Sequence, residues 1–256
     1  NIFSYIFNKC THVQLNSTMN KKLKLIIGAI YLFCFMALFY ILFTYLDLKD
    51  LSSYSYIKTK SQILNDFKEN NLILFSLIFF VGSIIWILLL GFASPLAILS
   101  GFIFGQWYGT LISVFSFTVG CTLLYVLANL YFKKIIINHL EGRISKYKKL
   151  FKINELLYFM IFRFVGGGGM PFCIQNILPV IFDMKIKNYF YASLIGLAPI
   201  IFIINSLGSG IEEMIGVKDE IKYQDVILNP SIYWPLISFL VILFISLFIK
   251  KKIFEK

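Results

Sequence analysis

Two apolar stretches of this chain are interrupted in the same way. One reads Gly91-Phe-Ala-Ser-Pro95-Leu-Ala-Ile98 and the other Gly167-Gly-Gly-Met-Pro171-Phe-Cys-Ile174. In each, a Gly stands four residues before a Pro, and the Pro is followed by a large apolar residue, a small one and Ile. The second carries Arg163 just upstream, the only charge between Glu155 and Asp183. Gly and Pro free backbone groups that lipid cannot satisfy, so such breaks at membrane depth belong inside protein or beside a water-filled cavity. Two similar breaks flanked by hydrophobic helices are the pattern of an internal repeat around a transport site.

Composition sets the medium. The chain is 59% hydrophobic and only 14% charged, more apolar surface than a soluble domain of 256 residues can cover. Long apolar runs point to a polytopic membrane protein. The net charge of +11 comes from short basic segments between those runs, which suits anionic headgroups and argues against nucleic acid. Cys34, Cys121 and Cys173 lie in apolar segments, and Cys10 stands alone. With no C-x-x-C, neither a disulfide framework nor a metal site is expected. His12 and His139 are far apart and read as solvated or interfacial residues. There is no G-x-S-x-G, no Walker loop and no His pair at metal spacing, so no enzyme and no cofactor are expected.

Five spans are predicted, at about 23–46, 72–90, 109–131, 188–207 and 233–249. The first is too long for a signal-peptide core and lacks a cleavage site, so it reads as retained. The run Met19-Asn-Lys-Lys-Leu-Lys24 before it resembles a normal translation start. Residues 91–107 and 155–182 are too short and too punctuated to cross a hydrocarbon core that needs about 20 apolar residues. Each reads as a re-entrant hairpin. The expected fold is all-α, with about five transmembrane helices and two facing hairpins in an inverted repeat whose tips meet near the midplane. Gly109 and Gly120 are expected to let helices approach closely.

Charge orients the chain. The connector 133–152 and the tail 250–256 are strongly basic and fall on one side, read as cytoplasmic. The acidic stretch 208–232 then falls outside. The same count puts Lys21, Lys22 and Lys24 outside, against the rule.

These residues resemble a known family. Pro95-Leu-Ala-Ile-Leu-Ser-Gly101-Phe-Ile-Phe104-Gly105, with Gly109 and Gly120 beyond, is similar to the first motif of the DedA superfamily, and more closely to its VTT-domain, or SNARE-associated, branch. Phe162-Arg163-Phe164, Pro171-Phe172, Asn176, Tyr189, Gly196 and Pro199 follow the order of that branch. The resemblance covers roughly residues 72–208. The family commonly has Pro shortly after the Arg, where this chain has Gly166–Gly169, and a Gly where this chain has Val180. Bacterial DedA proteins carry acidic residues in the first hairpin, linked with proton coupling; residues 91–107 contain none. The resemblance implies two facing hairpins and movement of phospholipid or polyprenyl phosphate between leaflets. It divides the chain into an N-terminal segment (1–22), a first span with its connector (23–71), the VTT/DedA-like domain (72–208) and a loop with the last span and basic tail (209–256).

Arg163 is the leading candidate for substrate binding. Its planar fork suits bidentate contact with a phosphate. The structural alternative is an Arg that caps hairpin carbonyls or pairs with Asp183 or Glu155. Gly166, Gly167, Gly168 and Gly169 can offer backbone N–H groups as an anion nest, or serve only as a flexible tip. Asn176 can bond backbone or headgroup. Gly91, Pro95, Gly101, Gly105, Pro171, Gly196 and Pro199 are expected to shape the hairpins. The expected partners are membrane lipids, with anionic headgroups at 133–152, in a multi-pass protein of the cell (inner) membrane; a homo-oligomer stays open. The function expected is scramblase- or flippase-like lipid movement. The alternatives are a non-transporting scaffold and an ion-coupled carrier of a small solute.

Overall fold

Each long apolar run among the described residues is a helix. The computed structural model describes residues 70–133, 151, 153–164, 170–217 and 229–254, with single positions at 29, 33, 36, 37, 40, 59 and 68. The expected first span at 23–46 and the connector 133–152 therefore lie almost wholly outside the described residues. In chain order the helices are α1 (Leu72–Leu90), α2 (Ser94–Phe104), α3 (Gln106–Leu127, continuing as a π-helical turn to Phe132), α4 (Glu155–Phe164), α5 (Phe172–Ile177, continuing as a 3₁₀ turn to Phe182), α6 (Ile186–Val217) and α7 (Pro230–Phe254). No strand occurs among them.

Among the described residues, three stretches are long and apolar enough to cross a membrane: Leu72–Leu89, Gln106–Tyr131 and Ile186–Ile215. Their surface is that of a protein in lipid. Ile73, Leu77, Val81 and Ile85 project outward from α1, while Ser83, Ser100, Ser113, Thr118, Ser193 and Asn205 are buried. A water-soluble domain keeps such polar groups mostly on its exterior. Two predicted spans differ in length from the helices found. The span predicted at 188–207 runs from Ile186 to Val217. It does not end at Gly208, because Gly208 is a packing residue there: a Cβ on it would come within 2.0 Å of the Ile98 carbonyl oxygen. The span predicted at 233–249 is part of the longer helix Pro230–Phe254.

The first break has a clear local cause. Gly91 ends α1 at φ 68°, in the left-handed region, where a residue without Cβ sits at no steric cost. Its N–H closes on the Ile87 carbonyl at 3.0 Å. The exposed carbonyl of Phe92 accepts from the Trp86 indole at 3.0 Å. Pro95 then sits in the first turn of α2, where its missing N–H leaves nothing unsatisfied. Gly105, at φ 77° and ψ 172°, turns α2 into α3. The N–H of Gly105 closes on Gly101, and the carbonyl of Ile103 accepts from Lys68. The freed backbone of this break is thus met by side chains, as a dry setting requires.

α6 is the hub, packing on α2, α3, α4 and α7, while α1 packs on α3. The α2–α6 contact is backbone on backbone. A Cβ at Gly101 would lie 1.9 Å from the Asn205 carbonyl oxygen and 2.6 Å from its Cα. Gly120 of α3 lies against Ile84 and Ile87 of α1. The two breaks also meet: a Cβ on Gly91 would lie 2.8 Å from the Cβ of Cys173.

Candidate functional site

α4 starts on Asn154, whose side-chain oxygen accepts the N–H of Leu157 at 3.0 Å and whose carbonyl accepts that of Tyr158 at 3.1 Å. The helix carries Glu155 in its first turn and Arg163 in its last, both signs favourable to the helix dipole. The apolar side chains Phe159 and Phe162 face the core with Arg163, which is fully buried. Gly196 of α6 makes this approach feasible. A Cβ there would come within 2.7 Å of both the Arg163 Cβ and the Met160 carbonyl oxygen.

The guanidinium is held on one side only. Nη2 donates to Asn176 Oδ1 at 2.6 Å and to the Tyr189 hydroxyl at 2.7 Å. Aromatic rings surround the cation: its carbon lies 4.9 Å from the centre of Phe159, 5.3 Å from Phe172 and 5.6 Å from Tyr189. Tyr189 is itself clamped, stacked on Tyr125 at 4.6 Å and on Phe159 at 5.1 Å. The Tyr125 hydroxyl donates to the Met184 carbonyl. Cys121 of α3 lies beside Arg163 and Asn176.

Of the structural alternatives for Arg163, pairing with Asp183 or Glu155 is not what the structure shows. Asp183 is ion-paired with Lys133 at the surface. Glu155 accepts the backbone N–H of Lys185 and, at 2.5 Å, the side chain of Asn188, so it serves the start of α6. Among the described residues no carboxylate reaches Arg163. Its Nε and Nη1, together with Asn176 Nδ2, are buried without a hydrogen-bond partner there. All three are donors. A buried charge without a carboxylate costs several kcal/mol relative to a paired one, and a cluster of unmatched donors beside it is what an oxyanion satisfies.

The structure therefore joins Arg163 and Asn176, which the sequence named separately. Gly166–Gly169 lie outside the described residues. Pro171 precedes α5, and its carbonyl accepts from Ile174 and Gln175. Pro199 lies inside α6. The sequence reading missed Tyr189 as a ligand of the arginine, taking it only as one step in a motif order. It also missed the ring of Phe159 and Phe172. The available signal was helical spacing: Phe159 stands four residues before Arg163 and so shares its face of α4.

Residues 92–210 match the VTT domain. The chain is 23% identical over 177 residues to a protein named Transmembrane protein 41 homolog from Caenorhabditis elegans, covering 67% of this chain and 70% of that protein. No solved structure gives a significant match. The matched residues run from the first break through α2, α3 and the second break to most of α6, and they enclose Arg163, Asn176 and Tyr189: the part of this membrane protein that carries the site, residues 92–210, is a VTT domain.

Proposed function

We propose that this protein moves phospholipids between the leaflets of a membrane, with Arg163 as the residue that takes the headgroup phosphate. The observation that carries the reading is the buried guanidinium whose Nε and Nη1, both donors, lack an acceptor, beside Asn176 Nδ2 in the same condition. Phosphate offers acceptor oxygens in the geometry of the guanidinium fork. Polyprenyl phosphate has the same headgroup chemistry and belongs to the same proposal.

The architecture supports a path for such a headgroup. At 11 residues, α2 is about 16 Å long, half of a hydrocarbon core of about 30 Å. The helical run Phe172–Phe182 is as short. We read both as arms of re-entrant hairpins that face each other in an inverted repeat, in agreement with the contact of Gly91 on Cys173. Acyl chains stay in lipid while the headgroup passes between the hairpins. The chemistry is carriage and not catalysis. The basic segments 133–152 and 250–256 are assigned to the cytoplasmic side of the cell membrane, against anionic headgroups.

The test is leaflet exchange of a labelled phospholipid in liposomes holding the purified full chain. The wild type exchanges lipid. Arg163→Ala loses at least tenfold of the rate while remaining folded, and Arg163→Lys recovers part of it, because Lys keeps the charge without the fork. A folded wild-type protein that exchanges no lipid overturns the proposal in favour of a scaffold. Uptake of a small solute without lipid exchange overturns it in favour of a carrier. Full exchange by Arg163→Ala removes the residue from the mechanism.

A further inference from the structure

Two polar groups lie buried and unmatched away from the arginine. Asn205 of α6 and Ser113 of α3 have no exposed surface, and Asn205 Oδ1 and Ser113 Oγ have no hydrogen-bond partner among the described residues. The Asn205 amide engages only through Nδ2, which donates to Thr110 Oγ1 at 3.3 Å. A buried polar atom in this state costs free energy until a hydrogen-bonding group reaches it. Ser113 stands one turn beyond Thr110 on α3, so both orphans belong to one stretch of the seam between α3 and α6.

That stretch has an outlet. A cavity of about 910 Å³ opens between the first turns of α3, the C-terminal half of α6 and the start of α7. Trp107, Thr110, Phe202, Ser206, Glu213 and Trp234 are among its walls. Thr110 is thus both cavity wall and the contact of Asn205. The volume admits a lipid headgroup. Gln106 and Trp107 open α3, so the cavity sits where a span emerges, the level at which Trp is enriched in membrane proteins.

The other end of the seam is the arginine site. Thr110 meets Asn205 at one end, and Tyr125 stacks on Tyr189 at the other, so α3 and α6 run antiparallel. Cys121 of α3 lies beside Arg163 and Asn176. Eleven residues of helix put Thr110 and Cys121 about 16 Å apart, and close to three whole turns keep them on one face. Phe117 stands between them on that face. It is wholly buried and belongs to one core with Cys121, Leu197 and Ile201. An apolar constriction of this kind excludes water, and its displacement readmits it. Arg163 has no exposed surface, so a phosphate has to be admitted to it.

We propose that Asn205 and Ser113 form an outer station where a hydrated phospholipid headgroup enters from the cavity, and that Phe117 is the gate between this station and Arg163. The inference rests on the lipid-handling reading above and adds a way in. The orphan amide oxygen takes a hydroxyl donor from the headgroup or its hydration shell. Behind the ring, the guanidinium takes the phosphate.

The probe is sulfonatoethyl methanethiosulfonate, a water-soluble anion of headgroup size that caps thiols. Intact mass of the full chain in a nonionic detergent gives the rate. With Cys10, Cys34 and Cys173 replaced by Ser, Cys121 alone reports the inner site. Ser113→Cys, in a chain that also carries Cys121→Ser, reports the outer station. Ser113→Cys is capped at least tenfold faster than Cys121. Phe117→Ala raises the Cys121 rate at least tenfold. Phe117→Leu leaves a smaller gap, serves where the Ala protein does not fold, and raises the rate in part. Ile87→Ala opens a gap on the α1 side of α3, where Ile87 meets Gly120, and leaves the Cys121 rate within twofold. Capping of Ser113→Cys no faster than that of Cys121 overturns the outer station. A Cys121 rate unmoved in the folded Phe117 variants overturns the gate, and so does equal acceleration by Ile87→Ala, which marks general loosening of the core. The two readings fail separately. The expected capping pattern in a protein that exchanges no lipid in liposomes sinks the transport reading alone. Lipid exchange without that pattern sinks the entry assignment alone.

Discussion

Arg163 and Asn176, thirteen residues apart on opposite sides of the second break, are joined by a 2.6 Å hydrogen bond from Nη2 to Oδ1. The bond ties the last turn of α4 to the end of α5, one helix on each side of the second break. It also leaves the rest of the guanidinium facing inward.

That geometry separates anion capture from a purely structural arginine. Asn176→Asp puts a carboxylate at the same distance. The new buried pair keeps the protein folded, with a melting temperature at or above wild type, because each charge gains a partner. Leaflet exchange falls at least tenfold, because the carboxylate occupies the charge that a phosphate needs. Thermal melting and the liposome assay on one preparation check both parts. Undiminished exchange contradicts anion capture.

Close helix contact yields a second prediction. Gly101→Ala forces a Cβ to within 1.9 Å of the Asn205 carbonyl oxygen, backbone that has no rotamer to give. A destabilisation of about 3 kcal/mol or more is expected from such overpacking, seen as loss of the monodisperse peak in detergent. Gly82→Ala is the control, since nothing lies within 4 Å of a Cβ there. In the interior of α1 it stabilises by up to about 1 kcal/mol.

Two surface contacts, one of Glu155 and one of Lys133, are expected to differ. Glu155 meets the start of α6 through the Lys185 N–H and the Asn188 amide. Glu155→Ala lowers stability by about 1 kcal/mol, the loss expected of a missing helix cap. Lys133→Ala removes an ion pair between side chains that are 38% and 65% exposed, and it shifts stability by under about 0.5 kcal/mol. Chemical or thermal denaturation of both variants ranks them; the reverse order contradicts the capping role.

The proposed orientation rests on charge. In a Cys-free background Ser145→Cys is inaccessible to an impermeant maleimide added outside the cell, and becomes labelled only after permeabilisation. Labelling from outside reverses the assignment of 133–152 to the cytoplasm.

How far the sequence speaks depends on how local the cause is. The end of α1 was legible because Gly91 supplies a left-handed cap and Pro95 a helix start within five residues. Arg163 was legible because a lone charge in an apolar run needs a reason. The continuation of α6 past Gly208 was not, since the acidic composition beyond it reads as a loop and only the facing Ile98 backbone shows the glycine to be a helix contact. Glu213 read as part of an acidic loop for the same reason. Trp107 and Trp234, which line one cavity with it, are more than a hundred residues apart in sequence, and no spacing rule joins them. Tyr189 reaches the arginine through a tertiary contact across 26 residues, which periodicity within one helix does not reveal.

The seam between α2 and α6 restricts how this molecule can open. Where helices meet through interlocked side chains, rotamer changes let one slide along the other. Here Gly101 meets Asn205 and Gly208 meets Ile98 with only main chain between them. A slip of one residue drives the Cβ of Phe102 or Leu207 into that main chain. The pair has one register and travels as a single body. Any opening of the bundle must therefore be sought at other seams, and the packing of α7 on α6 is the first to watch.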